Sequence, residues 1–295
     1  LSSHKCADLS TAANMNNAAV VHKTYEELHV VAVVTGGVAV NAARAGDPGM
    51  YHQTDDATHT RDGTINIILC INLELTPGAT VQAVITATEA KTSVLEEYGV
   101  PSRYSDGYAT GTGTDQIAIA SMLGEQKITD TGKHSKTGEY IGTAVREALQ
   151  KTLKRQDGLH PEGQCSVFKQ IERFGITREE MKAKIVSALD AEEASLYQKN
   201  ADLIDRDPHT VAAAAAVVTI HDRCAWGILP LTSFAETALP YLVQIAAAVS
   251  GDNGRRGFFE ETLQNEIPPI NDGSMTESIC TSIALGFAHK WKRPE

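Results

Sequence analysis

Between Thr86 and Gln116 the chain gathers hydroxyls, a carboxylate, an amine and backbone-baring glycines. They lie in Thr86-Ala87-Thr88-Glu89-Ala90-Lys91 and in Ala109-Thr110-Gly111-Thr112-Gly113-Thr114-Asp115-Gln116. On a helix, Thr86 and Glu89 share one side while Thr88 and Lys91 share another. Such pairs can orient a hydroxyl nucleophile or bind an amide-rich ligand, and the same pattern also describes an ordinary solvated face. The Thr/Gly run says more, because a plain turn needs one glycine and not an alternating series. Gly111 and Gly113 let the backbone approach a ligand and offer N–H groups as an oxyanion hole or anion nest. Thr112 and Thr114 add hydroxyls, and Asp115 can orient one of them or a base. The run lacks the GxGxxG and Walker lysine patterns of nucleotide sites.

A second cluster, Gly132-Lys133-His134-Ser135-Lys136, places a histidine just before a helix, where it can serve as a general base or sit in a solvated loop. His29, His52 and His59 lie around the Gly46-Asp47-Pro48 loop, and His221 precedes Asp222. None of them forms an HxH or HExxH set, so no metal site is expected. A GxSxG elbow is also missing from the sequence.

The elements that must position these groups are legible in part. Residues 11–28 read as a helix capped by Thr11, followed by a β-branched strand, 29–35. Ala45 to Gly49 reads as a loop. Residues 64–73 form the clearest strand, with Ile65, Ile67, Leu69, Ile71 and Leu73 on one face. Its other face is half apolar, so the strand is expected to be central and covered on both sides, with Cys70 in the core. Thr76 and Pro77 open a helix to Tyr98, with Val81, Val84, Ile85, Thr88, Leu95 and Tyr98 as its buried stripe. A strand at 116–121 and a helix at 138–154 follow. Beyond Gln156 helices dominate: 161–174, 177–199, 208–224, 233–250 and 274–291, with an irregular stretch from Asn253 to Asn271. The expected architecture is α+β: a sheet layered with helices over residues 1–155, and a helical region over 156–295.

At 295 residues the chain can bury a substantial core. Its net charge of -11 argues against nucleic acid, since Lys151 to Arg155 and Lys290 to Arg293 read as helix ends and not as binding patches. Five cysteines without a CxxC pair suggest free thiols in a reducing compartment. With no secretory signal and no apolar run long enough to span a bilayer, the expectation is a soluble, cytoplasmic protein without a membrane partner. The chain opens at Leu1 without Met, which leaves open whether a natural N-terminal segment precedes it.

Several blocks occur in a telling order: Ser10 to Met15, Asn41-Ala42-Ala43-Arg44-Ala45-Gly46-Asp47-Pro48, Gly63 to Ile68, Thr86 to Lys91, Ala109 to Gln116, and Gly132 to Lys136. Together they resemble the adenosylcobinamide amidohydrolase (CbiZ) family of corrinoid salvage, over residues 10–153. The resemblance implies hydrolysis of the amide joining a corrin propionyl side chain to aminopropanol, giving adenosylcobyric acid for cobalamin salvage. Cobalt then enters only within the substrate, and no separate cofactor is implied. Family members also carry an N-terminal Ser-Ser and glycine-rich motif, which Ser2-Ser3 does not reproduce.

For that reaction, residue chemistry suggests Glu89 or His134 as base and acid. Gly111 and Gly113 would supply oxyanion donors, Lys91 electrostatic support, and Thr112 or Thr114 the nucleophile if the route is covalent, with Asp115 orienting. Asn41, Arg44, Asp47 and Asn66 suit the corrin's carboxamide rim, and Asn14, Thr86, Thr88 and Lys133 join them as expected binding residues. Two other readings compete: a corrinoid carrier or sensor without turnover, and a structural oligomeric subunit whose threonine loop merely turns. A homo-oligomer is compatible with every one of these readings.

Overall fold

The computed structural model describes residues 8–49, 63–264 and 272–291. The chain divides into two compact units, Leu1–Gly163 and Gln164–Glu295. In the first, β1 (Ala19–Tyr25) and β2 (Leu28–Gly36) form an antiparallel hairpin. Next come β3 (Ala42–Ala43), β4 (Ile65–Ile71), β5 (Glu74–Leu75), α1 (Pro77–Glu97), β6 (Gly111–Thr112), β7 (Gln116–Ser121), β8 (Lys127–Ile128) and α2 (Lys136–Asp157). The main sheet has the order β1-β2-β4-β7, antiparallel except for the parallel β4–β7 pair. Two short ladders, β3 with β6 and β5 with β8, stand beside it.

Period-two alternation decides which sheet face is buried. Val30, Ala32 and Val34 of β2 and Ile65, Ile67, Leu69 and Ile71 of β4 form one core with the inner faces of α1 and α2. The opposite face is only partly covered, with Thr35 and Asn66 buried at one end. Ile68 is 38% exposed there and Cys70 is exposed, so the expectation of cover on both faces, with Cys70 in the core, is corrected. β4 is nonetheless an interior strand, between β2 and β7.

The expected helix over 11–28 is absent. Met15–Asn17 make one 3-10 turn, and Ala19–Tyr25 pair with β2. Ala19 and Val21 point inward while Val20, His22 and Thr24 stay exposed, a strand alternation that the alanines obscured. The hairpin turn at Glu26-Glu27 also lacks the usual Asn-Gly or Asp-Gly signal. Glu26 adopts a φ of 52° without being glycine.

α1 starts as expected, with the Thr76 hydroxyl accepting from Ala79 N and Pro77 in the first turn. Its buried stripe is different from the expected one. Ala79, Ala83, Thr86, Ala87, Ala90, Lys91 and Val94 face inward with Leu95, whereas Val81 (64%), Val84 and Ile85 (51%) are exposed. Small side chains let α1 lie close against α2 and the sheet, and that proximity outweighs the larger apolar area on its other side. Of the expected stripe, Leu95 and Tyr98 are buried. α2 is capped by Ser135, whose Oγ accepts from Gly138 N at 3.0 Å, and ends at Gly158 with φ 66°. A side chain at Gly138 would collide with the Gly132 carbonyl, so glycine there admits the preceding loop.

The second unit is helical: α3 (Val167–Ile171), α4 (Arg178–Ser187), α5 (Ala191–Asp205), α6 (Pro208–Ala225), α7 (Phe234–Ser250), α8 (Arg256–Gln264) and α9 (Asp272–Ala288). They enclose a separate core that includes Tyr197, Phe234, Phe259 and Phe287. The single helix expected over 177–199 is two, because Asp190 and Glu193 form a capping box that starts α5. The 161–174 helix shortens to α3 flanked by 3-10 turns. The stretch from Asn253 to Asn271 contains α8, and its remainder from 265 lies outside the described residues. The fold is thus α+β with a helical C-terminal part. Among the described residues no helix is long and apolar enough to cross a membrane, and Cys70, Cys165, Cys224 and Cys280 are free thiols.

Candidate active site

Asp115, immediately before β7, is the hub around which the Thr/Gly run folds. Its Oδ1 accepts from the Thr112 hydroxyl at 2.5 Å and from Ile65 N at 3.0 Å, while Oδ2 accepts from Thr112 N at 3.0 Å and from the Lys91 ammonium. Lys91 and Asp115 are nearly enclosed, with side chains 8% and 14% exposed. Four donors converge on one carboxylate and fix its orientation. The Thr112 hydroxyl therefore points its proton at a carboxylate, and its oxygen accepts a long bond from Thr114 N at 3.4 Å.

Gly111 makes this packing feasible. A Cβ there would collide with Asp115 Oδ2 and sit 2.6 Å from Lys91 Nζ. Neither Thr112 N nor Gly113 N is free to receive an oxyanion in this arrangement. The first donates to Asp115, and the second to the Asn41 carbonyl at 3.3 Å.

Asn41 is 2% exposed and acts as a clamp. Its Nδ2 donates to Gly63 O at 3.0 Å, and its Oδ1 accepts from the Tyr104 hydroxyl at 2.7 Å. Thr114 Oγ1 donates to the same Gly63 carbonyl, and Thr64 Oγ1 donates to Thr114 O. Asn41 and Thr114 thus hold the start of β4 against the Thr/Gly run, and neither offers a free polar edge to a ligand.

Arg44 and Asp47 organise the neighbouring loop. Asp47 accepts from Arg44 N, Ser102 Oγ and Ser105 Oγ at 2.5–2.7 Å, and Arg44 donates to Tyr108 O. Burial pushes the Asp47 carboxyl up, but the bonds from Ser102, Ser105 and the Arg44 backbone, with the Arg44 charge, outweigh it and hold the group below its ordinary value. Asn14 caps the turn that precedes β1, its side chain accepting from Asn16 N. Asn66 Nδ2 donates to Ser10 O at 2.8 Å.

The remaining expected residues gather elsewhere. Glu89 lies two residues from Lys91, about 200° round the helix, and pairs with Lys133. Both are exposed. With Thr86, Ala90, Ser93, Gly138, Glu139, Gly142, Thr143 and Arg146 they line a cleft of about 470 Å³ between α1 and α2. Thr86 is buried and donates to Thr131 O at 3.0 Å, tying down the loop before α2. Thr88 is exposed and donates to Val84 O within its own helix. His134 is exposed on the same loop as Lys133. The structure therefore joins Lys91, Gly111, Thr112 and Asp115 in one cluster and sets Glu89, Lys133 and His134 apart from it.

Nothing in residue type or spacing signals the contributions of Ile65 N and Gly63 O, which act through the backbone, or of the Tyr104 hydroxyl. His29 is exposed in β2, while His52 and His59 lie outside the described residues. Among the described residues no group of His, Cys, Asp and Glu could hold a metal ion.

Residues 1–161 match the family model described as adenosylcobinamide amidohydrolase. An uncharacterized protein of Methanocaldococcus jannaschii is 40% identical over 161 residues, covering 50% of this chain and 63% of that protein. An adenosylcobinamide amidohydrolase of Methanosarcina mazei is 31% identical over 155 residues, with the same coverage of 50% and 63%. The chain thus spans less than two thirds of the length of the curated relatives it matches. No solved structure matches it.

Proposed function

This chain belongs to the adenosylcobinamide amidohydrolase (CbiZ) family, and from that premise we propose that it hydrolyses the amide between a corrin propionyl side chain and aminopropanol, giving cobyric acid for cobalamin salvage. The observation that carries the reading to particular residues is the enclosed Lys91–Asp115–Thr112 cluster, formed within the family-matched region. Amide hydrolysis needs a nucleophile, an acceptor for its proton, and a donor for the leaving amine. Thr112 Oγ1 attacks the carbonyl carbon as its proton passes to Asp115 Oδ1. The Lys91 ammonium offsets the developing charge and protonates the departing nitrogen, then regains a proton from Asp115 along the bond that joins them. Water cleaves the resulting threonyl ester with Asp115 as base, which restores the Thr112 hydroxyl.

Glu89, on the face of α1 away from this cluster, and His134, on the loop before α2, would hold substrate and not share the reacting atom. The cleft beside them, its exposed lining mostly apolar, offers a surface for part of a large ligand. Incubating the full chain with adenosylcobinamide and a metal chelator, followed by mass spectrometry, tests the reaction. Adenosylcobyric acid with free aminopropanol is the expected result. Corrinoid that binds unchanged would instead identify a carrier without turnover.

A further inference from the structure

Thr35 on β2 and Asn66 on β4 are direct partners in the antiparallel ladder, so their side chains stand together on the sheet face opposite α1 and α2. They are 6% and 5% exposed. Asn66 Nδ2 is satisfied by Ser10 O, yet among the described residues Asn66 Oδ1 and Thr35 Oγ1 have no hydrogen-bond partner. Buried polar atoms are nearly always paired. Two orphans side by side therefore point to a partner that brings a donor and an acceptor together.

The chemistry narrows that partner. Thr35 Oγ1 can donate and Asn66 Oδ1 can only accept. A primary carboxamide matches both, its carbonyl taking the Thr35 proton and its N–H binding Asn66. Beyond the pair the same face is apolar and partly exposed, with Val33, Ile68 and Ala118 in neighbouring register and Ile68 38% exposed. The pair also adjoins the reacting cluster along both strands. Asn66 follows Ile65, whose N–H binds Asp115, and its β7 partner Gln116 follows Asp115.

Resting on the corrinoid reading above, we infer that this row seats a peripheral carboxamide of the substrate while the flat ring lies over Val33, Ile68 and Ala118. Ser10, held to Asn66 by one bond, gives way as the ligand enters. The seat would bring a side-chain amide toward Thr112 from this face of the sheet.

Equilibrium dialysis of the full chain against adenosylcobinamide tests this without needing turnover. Thr35→Val removes only an unpartnered hydroxyl, so its melting temperature should equal or exceed that of the wild type. Its Kd should rise about tenfold, the loss of one buried hydrogen bond. Thr35→Ser, which keeps the hydroxyl, should bind within about twofold of the wild type on the same reasoning. A wild type that hydrolyses the substrate while Thr35→Val binds equally well would overturn the seat alone, and would leave a bridging water as the partner of the two atoms. A wild type that neither binds nor hydrolyses the corrinoid would overturn the seat and the proposed reaction together.

Discussion

Among single residues, turnover depends on one hydroxyl and one carboxylate. Thr112→Val should lower turnover at least about a hundredfold, while Thr112→Ser retains part of it, because only the hydroxyl is needed for attack. Thr112→Ser should melt near the wild type by circular dichroism, while Thr112→Val, which takes one donor from the nearly enclosed Asp115, should lose about 1–3 kcal/mol yet stay folded. Gly111→Ala tests the packing under the cluster. Its methyl would meet Asp115 and Lys91, so a loss of about 1–3 kcal/mol in urea unfolding is expected, with reduced turnover. Full stability and activity in Gly111→Ala would mean that the carboxylate and ammonium need not be held as described. The residue types of this cluster were legible in the sequence, because an alternating Thr/Gly run beside an aspartate is hard to explain as a turn. The division between Lys91 and Glu89 was not, since it depends on which side of α1 faces the sheet. Asn41, Arg44 and Asp47, expected to meet a ligand's carboxamides, also hold their loops through hydrogen bonds, a role that only the partners in the structure reveal.

At the scale of elements, burial of small side chains accounts for most of the departures from expectation. α1 packs through Ala83, Ala87 and Ala90 and leaves Val81 and Ile85 outside. Ile85→Gln should therefore change stability by no more than about 0.5 kcal/mol, the range of ordinary surface substitutions. Ala87→Leu should cost about 1–3 kcal/mol through overpacking, and the reverse ranking in denaturant melts would contradict the assigned face. Strands β2, β4 and β7 and the cap of α1 could be read from the sequence because β-branched runs and a Thr-Pro cap act locally, whereas the start expected at 138 misses the Ser135 cap that opens α2 at Lys136. The β1–β2 hairpin could not, because its turn uses Glu26 at positive φ. The break between α4 and α5 was readable in principle from Asp190 and Glu193. Asp190→Ala should cost about 1 kcal/mol as a lost cap, measurable by chemical denaturation.

At the scale of the whole molecule, the family match ends at residue 161 and the first compact unit at Gly163. Each unit has its own buried core, so a chain ending at Gly163 should retain a cooperative thermal transition. Surface charge contributes a pH dependence within this unit. Hydrogen bonds from Lys151 and Lys23 hold Glu147 down to about 2. A carboxylate whose folded value lies below the ordinary 4.5 adds stability above that pH and loses it progressively as pH falls toward 2. The Glu147 side chain is 39% exposed, so solvent screening keeps the contribution small. Glu147→Gln should melt slightly below the wild type at neutral pH, and the gap should close between pH 4.5 and 2; a gap that widens with acid would refute the pairing. The central claim remains amide hydrolysis at the Lys91–Asp115–Thr112 cluster. The most direct measurement is mass spectrometry of adenosylcobinamide incubated with the wild-type chain and, in parallel, with Thr112→Val. Adenosylcobyric acid and aminopropanol are expected from the wild type and almost none from the variant. Equal product from both would contradict the assigned nucleophile, and unchanged substrate with the wild type would contradict the reaction itself.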